Sequence, residues 1–213
     1  NKFHFIEHSC DPALYSKDPK FTVNKKPVFR YIGGIYKTRN GEPVLTALKY
    51  MLDKKILDKD SILFEIIGDM PAKYRRYHED LIRRYGVDGI VKMLDGVPYL
   101  KSLELMQGAD VLILSDAPIA GSVYLPSKLA DYIGAGKPIL AITPRDGASA
   151  RVVNKAGGWL ADPNSTLDIA EKLSEIITQY KIGALEKFKP NEDVKKDFEI
   201  SRNVNKFTYI LGN

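Results

Sequence analysis

Six short apolar runs, separated by stretches of helical spacing, constrain this chain more than any other feature. The runs are Val28–Ile32, Leu63–Ile67, Ile90–Met93, Val111–Leu114, Ile139–Ile142 and a shorter one near Trp159. They are mostly continuous rather than alternating, as expected for strands buried on both faces of a parallel sheet. Between them, residues 42–54, 72–85, 100–107, 127–134, 147–156 and 166–180 carry 3.6-type periodicity. In the last of these, Leu167, Ala170, Leu173 and Ile177 are assigned to one face with Ile169 and Ile176 beside them, opposite Glu171, Lys172 and Glu175. Strict alternation of strand and helix implies βαβ units with right-handed crossovers. The predicted fold is α/β: a Rossmann-like, doubly wound parallel sheet of about six strands.

The pattern occupies residues 25–180. Residues 1–24 are irregular, and residues 181–213 form an extension, polar through "KIGALEKFKPNEDVKKDFEISRN" and closing with a short helix at "VNKFTYIL". The chain has 213 residues, 44% hydrophobic and 28% charged, with a formal charge of +5. That excess suits an anionic ligand or an anionic membrane surface. The lysines are scattered, so no nucleic-acid partner is expected. A single cysteine, Cys10, excludes an internal disulfide framework and fits a reducing compartment; no Cys/His cluster surrounds it to hold zinc. No run approaches the roughly 18–20 apolar residues of a membrane span, and "NKFHFIEHSCD" lacks a signal-peptide core. The absent initiator Met leads us to expect a part of a longer protein.

An open parallel sheet binds ligands at the carboxyl ends of its strands, beside helix N-termini. This selects the loops 33–41, 68–72, 94–99, 115–128 and 143–148. The segment "YLPSKLADYIGAGKPILAI" (124–142) ends in a Gly-Lys that imitates a phosphate-binding loop. The required earlier glycine is Asp131, the residue after Lys137 is Pro138 rather than Ser or Thr, and the Gly-Lys follows a helix instead of preceding one. Gly134 and Gly136 are therefore expected to end a helix in left-handed geometry, with Pro138 preventing its continuation.

The other end of the segment is better placed. Pro126, Ser127 and Lys128 open a helix, with Ser127 as its expected cap, and unpaired N–H groups there form an anion site. Asp131, one turn in, either accepts the two hydroxyls of a ribose or merely complements the helix dipole. In "YIGGIYKTRNG" no Gly-x-Gly-x-x-Gly is present. Gly33 and Gly34 allow close backbone approach to a ligand, with Lys37 and Arg39 nearby; the alternative is a tight turn with solvated charges.

Together these segments resemble group 1 (family 4) glycosyltransferases. "YLPSKLADYIGAGKPILAI" resembles their "PSKLFEYMAAGKPVIA" block. "FRYIGGIYKTRNGEPVLTAL", "LFEIIGDMPAKY", "GVDGIVKMLDGVPYLKSLELMQGADVLILSD" and "SARVVNKAGGWLADPNSTLDIAEKLSEII" are similar to the other blocks, in the expected order, over roughly residues 4–180. The resemblance implies the C-terminal, donor-binding half of a GT-B enzyme, with residues 1–24 as the interdomain linker and an N-terminal acceptor-binding domain outside the chain.

Residue by residue, it implies that Asp131 stands for the ribose-binding Glu and that the amides of Ser127 and Lys128, after Pro126, hold the diphosphate. Gly33 and Gly34 belong to the glycine loop, although the Arg usual at position 34 is lost. Lys37 or Arg39 supplies the catalytic cation, with spacing favouring Arg39. The backbone around Val91, Lys92 and Met93 lines the nucleobase. The first Glu of the family's Glu-x7-Glu pattern falls on Val123, and Asp116 could reach the same space.

The expected function is retaining transfer from a UDP- or GDP-sugar to a glycan or lipid-linked acceptor, without a metal or other cofactor. The expected place is the cytoplasm, including peripheral association with the inner membrane face. The rivals are a sugar-nucleotide epimerase of the same architecture and a non-catalytic nucleotide-binding module. His4, His8 and His78 form no catalytic set with the carboxylates and are assigned structural or surface roles.

Overall fold

The computed structural model describes residues 4, 6–16, 24–36 and 41–212. Six strands, β1 (Val28–Ile32), β2 (Leu63–Ile67), β3 (Val91–Leu94), β4 (Val111–Ser115), β5 (Ile139–Ile142) and β6 (Trp159–Ala161), form one sheet in the order β3-β2-β1-β4-β5-β6. Every pairing is parallel. Helices α1 (Glu42–Asp53), α2 (Ala72–Tyr85), α3 (Tyr99–Gln107), α4 (Ser127–Ala135) and α5 (Ala148–Lys155) provide the crossovers, and α6 (Thr166–Lys181) follows β6.

The continuous apolar runs are explained by two cores. Along a strand, alternate side chains reach opposite faces. Ile113 enters one core while Leu112 and Leu114 enter the other; Leu140 and Ile142 part from Ile139 and Ala141 in the same way. The first core lies under α1, α2 and α6, with Leu45, Leu48, Leu81, Leu173 and Ile176. The second lies under α3, α4 and α5, with Leu103, Leu129, Tyr132 and Val153. A strand polar on either face would leave one core open. Each fully buried aliphatic side chain contributes about 1.5–3 kcal/mol.

Three local expectations are corrected. Leu167 is 55% exposed. At about 100° per residue it lies some 120° around α6 from Leu173, off the stripe formed by Ile169, Ala170, Leu173, Ile176 and Ile177. Gly136 does close α4 in the left-handed region, with φ +70°, but Gly134 lies inside the helix. A Cβ at Gly134 would stand 2.6 Å from the Tyr15 hydroxyl and 2.9 Å from Cys10 Sγ. Gly134 is required by close packing, not by its backbone angles. Ser127 is the first helical residue of α4, and Pro126 holds the cap position.

Two helices follow α6 and a 3-10 turn. Helix α7 (Glu192–Asp197) is capped by the Asn191 side chain, which accepts from the Asp193 N–H at 2.9 Å; Val194 and Phe198 beside it enter the second core. Helix α8 (Ile200–Gly212) is longer than the expected closing helix. It is tied to the N-terminal segment. The Cys10 N–H donates to the Phe198 carbonyl, and the Ile200 N–H donates to that of Cys10. Lys206 pairs with Glu7 at 2.8 Å. No described helix is long and apolar enough to cross a membrane.

Candidate functional site

Strands leave β1 in opposite directions across the sheet, so the topological switch point lies between β1 and β4. These two strands pair only at Phe29↔Val111 and Arg30↔Leu112 and then part. The buried Tyr132 hydroxyl from α4 stands in the gap. It accepts from the Ile32 N–H at 2.9 Å and lies 3.3 and 3.2 Å from the carbonyls of Ile32 and Ile113. One phenol thus satisfies backbone groups that a continuing ladder would have paired, and the crevice opens without buried orphans. The same residue anchors α4 beneath it.

Above this wedge lies a cleft of about 280 Å³ that gathers Gly33, Gly34, Pro126, Ser127, Lys128 and Asp131. The loop after β1 is held tightly. The Gly33 N–H donates to the Ile67 carbonyl at 2.8 Å. A Cβ at Gly68 would stand 2.3 Å from the Gly33 carbonyl oxygen, so no side chain fits there. Gly33 itself has φ +130°, and its Cβ would stand 2.5 Å from Lys128 Nζ. The bare backbone at Gly33 thus makes room for the lysine. That ammonium lies 4.0 Å from the centroid of the Tyr31 ring, a cation–π contact, while the Tyr31 hydroxyl donates to the Gly34 carbonyl at 2.8 Å.

Helix α4 enters the cleft from its N-terminus without a side-chain cap. Its first-turn N–H groups have no i−4 carbonyl, and the dipole places partial positive charge there. Half-buried Asp131 follows one turn later. Its Oδ1 accepts from the Tyr99 hydroxyl at 2.8 Å, with the Tyr15 hydroxyl at 3.5 Å. Tyr15 also points at the Asp131 carbonyl, 3.2 Å away. Burial pushes the Asp131 carboxyl above its ordinary range, against the opposing pull of the two hydroxyls and of the charge on His8. Burial and the adjacent carboxylate push Tyr99 up to about 12, and push Tyr15 upward as well. Both phenols remain protonated donors at neutral pH. The arrangement therefore offers a cation, helix amides and an acceptor carboxylate along one wall.

A family model for group 1 glycosyl transferases matches residues 16–193. The chain belongs to that family. No curated protein matches it in a sequence comparison. Solved structures share the fold at low identity. The Anabaena protein HepE, in a complex with UDP and glucose, superposes with a TM-score of 0.76 at 16% identity. The match covers 97% of this chain and 56% of HepE, so the chain spans little more than half the length of that protein. WaaG, a glycosyltransferase involved in lipopolysaccharide biosynthesis, gives a TM-score of 0.66 at 20% identity, over 90% of this chain and 48% of WaaG. The C-terminal domain of the group 1 protein LpcC from Francisella tularensis gives 0.65 at 17%, over 90% of this chain and 99% of that domain.

The other described residues expected at the site lie outside this cleft. Lys37 and Arg39 fall outside the described residues. Lys92 and Met93 lie on the edge strand β3, beyond β2, and do not line the cleft; Lys92 is exposed and Met93 packs against the first core. Val123 is 86% exposed. Asp116 lines a neighbouring cleft of about 480 Å³ with Glu42, Thr46 and Asn164, not the one containing Asp131. Its Oδ2 accepts from the Thr143 hydroxyl at 3.0 Å. Buried His78 contacts the Tyr74 carbonyl through Nδ1, and His4 and His8 are exposed. Among the described residues, no group of three His, Cys, Asp or Glu side chains is placed to hold a metal ion.

Sequence reasoning missed Tyr15, Tyr31, Tyr99 and Tyr132. Tyr31 and Tyr132 lie within recognised segments, but a tyrosine in a strand or on a helix face reads as core. Tyr15 and Tyr99 carry no local signal at all.

Proposed function

We propose that this chain is the donor-nucleotide part of a glycosyltransferase that moves a sugar from a UDP- or GDP-sugar to a glycan or lipid-linked acceptor, with retention of configuration. The observation that supports this most is the cleft at the β1/β4 switch point. It joins the open end of α4, the Lys128 ammonium and the Asp131 carboxylate around a space fit for a nucleoside diphosphate. Asp131 accepts hydrogen bonds from the ribose. The amides of Ser127 and Lys128 face the diphosphate. The backbone around Lys92 and Met93, within β3, lies beyond this cleft as the platform toward which the base extends.

During transfer the bond between the sugar carbon and the diphosphate oxygen breaks, and the acceptor oxygen bonds that carbon. Negative charge develops on the departing nucleoside diphosphate. Positive groups fixed before the reaction stabilise that charge without reorganisation. Lys37 or Arg39 adds to them, and no metal is invoked. The acceptor, and the base that takes its proton, belong to an N-terminal acceptor-binding domain outside this chain, as the partial coverage of HepE supports. The 213-residue chain therefore binds nucleotide but does not turn over alone. The expected place of action is the cytoplasm, peripheral to the inner membrane face.

One observation favours a second reading, a non-catalytic nucleotide-binding module: exposed Val123 stands where the resemblance expects a carboxylate. Thermal-shift titration with UDP, GDP, ADP and their sugars tests the shared site. One of them should stabilise the chain, and Asp131→Ala should weaken that ligand about 10- to 100-fold, the effect of losing hydrogen bonds to a charged acceptor. Affinity unchanged by the substitution would refute the site. Transfer by a protein that includes the acceptor domain separates the enzyme from the module.

A further inference from the structure

The Asp131 carboxylate is held asymmetrically. Both tyrosine hydroxyls address Oδ1, and no described group is recorded as bonding Oδ2. The terminal torsion of an aspartate is broad and roughly two-fold, so an unrestrained carboxylate would present either oxygen over a wide angle. The 2.8 Å bond from Tyr99 removes that freedom. Tyr15 is the weaker restraint, because its single proton is shared between Oδ1 and the Asp131 carbonyl.

The two phenols come from different elements. Tyr99 is the first residue of α3, and Tyr15 belongs to the N-terminal segment that packs on Gly134. Tyr99 is 52% exposed, so burial does not fix its ring; the bond to Asp131 is the polar contact that orients it. Asp131 lines the cleft, whereas Tyr99 is not among the residues lining it.

We propose that Tyr99 is a positioning residue for the nucleotide ribose: its hydroxyl occupies Oδ1 of Asp131 and turns Oδ2 toward the sugar hydroxyls. This rests on the reading of Asp131 as the ribose carboxylate. An aspartate has one methylene fewer than the glutamate implied at this position, and its shorter reach makes the aim of the remaining oxygen matter more. Tyr99 and Tyr15 supply that aim from the side away from the ligand. The consequence is specific to the ribose, because the diphosphate and the base do not depend on Asp131.

The experiment measures dissociation constants of the 213-residue chain for UDP and 2′-deoxy-UDP, and for GDP and 2′-deoxy-GDP, in the native protein, Tyr99→Phe and Asp131→Asn. The native chain should prefer the ribonucleotide of the pair it binds. Tyr99→Phe should lower that preference about three- to tenfold, the worth of one net hydrogen bond, while leaving the deoxynucleotide affinity in place. Phenylalanine keeps the ring at a half-exposed site, and equal melting temperatures for the two proteins confirm the fold. Equal weakening of both nucleotides, or an unchanged preference, would overturn the positioning role. Tighter ribonucleotide binding by Tyr99→Phe would overturn it too, since it would show that the phenol competes with the ribose. A native chain that binds UDP or GDP with no ribose preference, unaltered by Asp131→Asn, would instead overturn the reading of Asp131 beneath it.

Discussion

Lys128 and Lys137 stand at opposite ends of α4, a nine-residue helix. At the N-terminal end, Lys128 lies over the Tyr31 ring and against Gly33, both delivered by β1 and the loop after it. At the C-terminal end, Gly136 and Lys137 follow one another in sequence, and the glycine only closes the helix in left-handed geometry. Lys137 lines a different cleft at the amino edge of the sheet, beside Asp110. Burial lowers its ammonium pKa, with the Asp110 carboxylate acting against that effect. The adjacent residues that imitate a phosphate loop lie at the far end of the helix from the proposed anion site, which joins the start of α4 to Tyr31, Gly33 and Gly34 nearly a hundred residues earlier. Proximity in sequence is a poor guide to a binding cleft when the fold places its clefts at strand ends.

The largest expected effect breaks the C-terminal end of α4. In Gly134→Val the new side chain meets the Tyr15 hydroxyl and Cys10 Sγ inside normal contact distance. Both belong to the second core and cannot retreat freely. Overpacking of this kind costs about 1–3 kcal/mol, offset only in part by the few tenths that valine gains over glycine in a helix interior. Urea unfolding should show a lower midpoint with an unchanged slope. Stability equal to the native chain would mean that the N-terminal segment does not pack on α4 as described. Nucleotide affinity of the folded fraction should fall far less than it does in Asp131→Ala, because the cleft lies at the other end of the helix.

The comparison is sharpened by neutralising each lysine in turn. Lys128→Met keeps an unbranched side chain beside Gly33 and removes the charge at the cleft. Affinity for the bound nucleoside diphosphate should fall about five- to tenfold, with a weaker salt dependence, while the corresponding nucleoside should bind as before. Lys137→Met should alter neither. Equal losses in the two variants would show that only overall charge matters.

The contrast also marks how much was legible beforehand. β1 and β2 match their apolar runs residue for residue, because a strand buried on both faces is apolar apart from positions that pair with each other, as Arg30 and Glu65 do at 2.7 Å, and Pro27 and Gly68 bound the two runs. Helix α7 was missed because six mostly charged residues carry no periodicity, though Asn191 ahead of Glu192 and Asp193 is a readable start signal. At the site, Pro126, Ser127, Lys128 and Asp131 were legible because they share one helix start. Their partners were not. Tyr15 meets Asp131 across 116 residues, Tyr99 across 32, and Tyr132 meets Ile32 across 100. Nothing local in "DPALY" or "GVPYLK" marks these hydroxyls as anything but surface or core. Gly33 was legible as a special backbone position, but the occupant of its space, a lysine side chain, was not.

The smallest expected effect concerns pH, and it separates binding from stability at the N-terminal end of α4. Burial raises the Asp131 carboxyl above its unfolded value, so the folded chain holds this proton more tightly than the unfolded one. Its contribution to stability is therefore most favourable below the unfolded value and is lost as pH rises through the raised one. Ribose binding has the opposite sign, because only the ionised carboxylate accepts from the hydroxyls without a proton of its own in the way. Acidification from neutrality should thus weaken the ribonucleotide relative to its 2′-deoxy form while slightly favouring the fold at Asp131. In Asp131→Asn both trends should vanish, and the ribose preference should be flat with pH. Glu7 provides the internal contrast. Burial disfavours its charge, but the hydrogen bond and charge of Lys206 outweigh that and hold its carboxyl below the ordinary range. The stability this pair adds is present above the unfolded carboxylate value and is lost as pH falls through the depressed one. It is a partly exposed pair, worth well under about 1 kcal/mol. Calorimetric melting of the native chain, Asp131→Asn and Glu7→Gln across mildly acidic pH should show the two differences with opposite slopes. Parallel slopes would mean that the Asp131 proton is held no more tightly in the fold than outside it, and that burial does not outweigh the two tyrosine hydroxyls at this carboxyl.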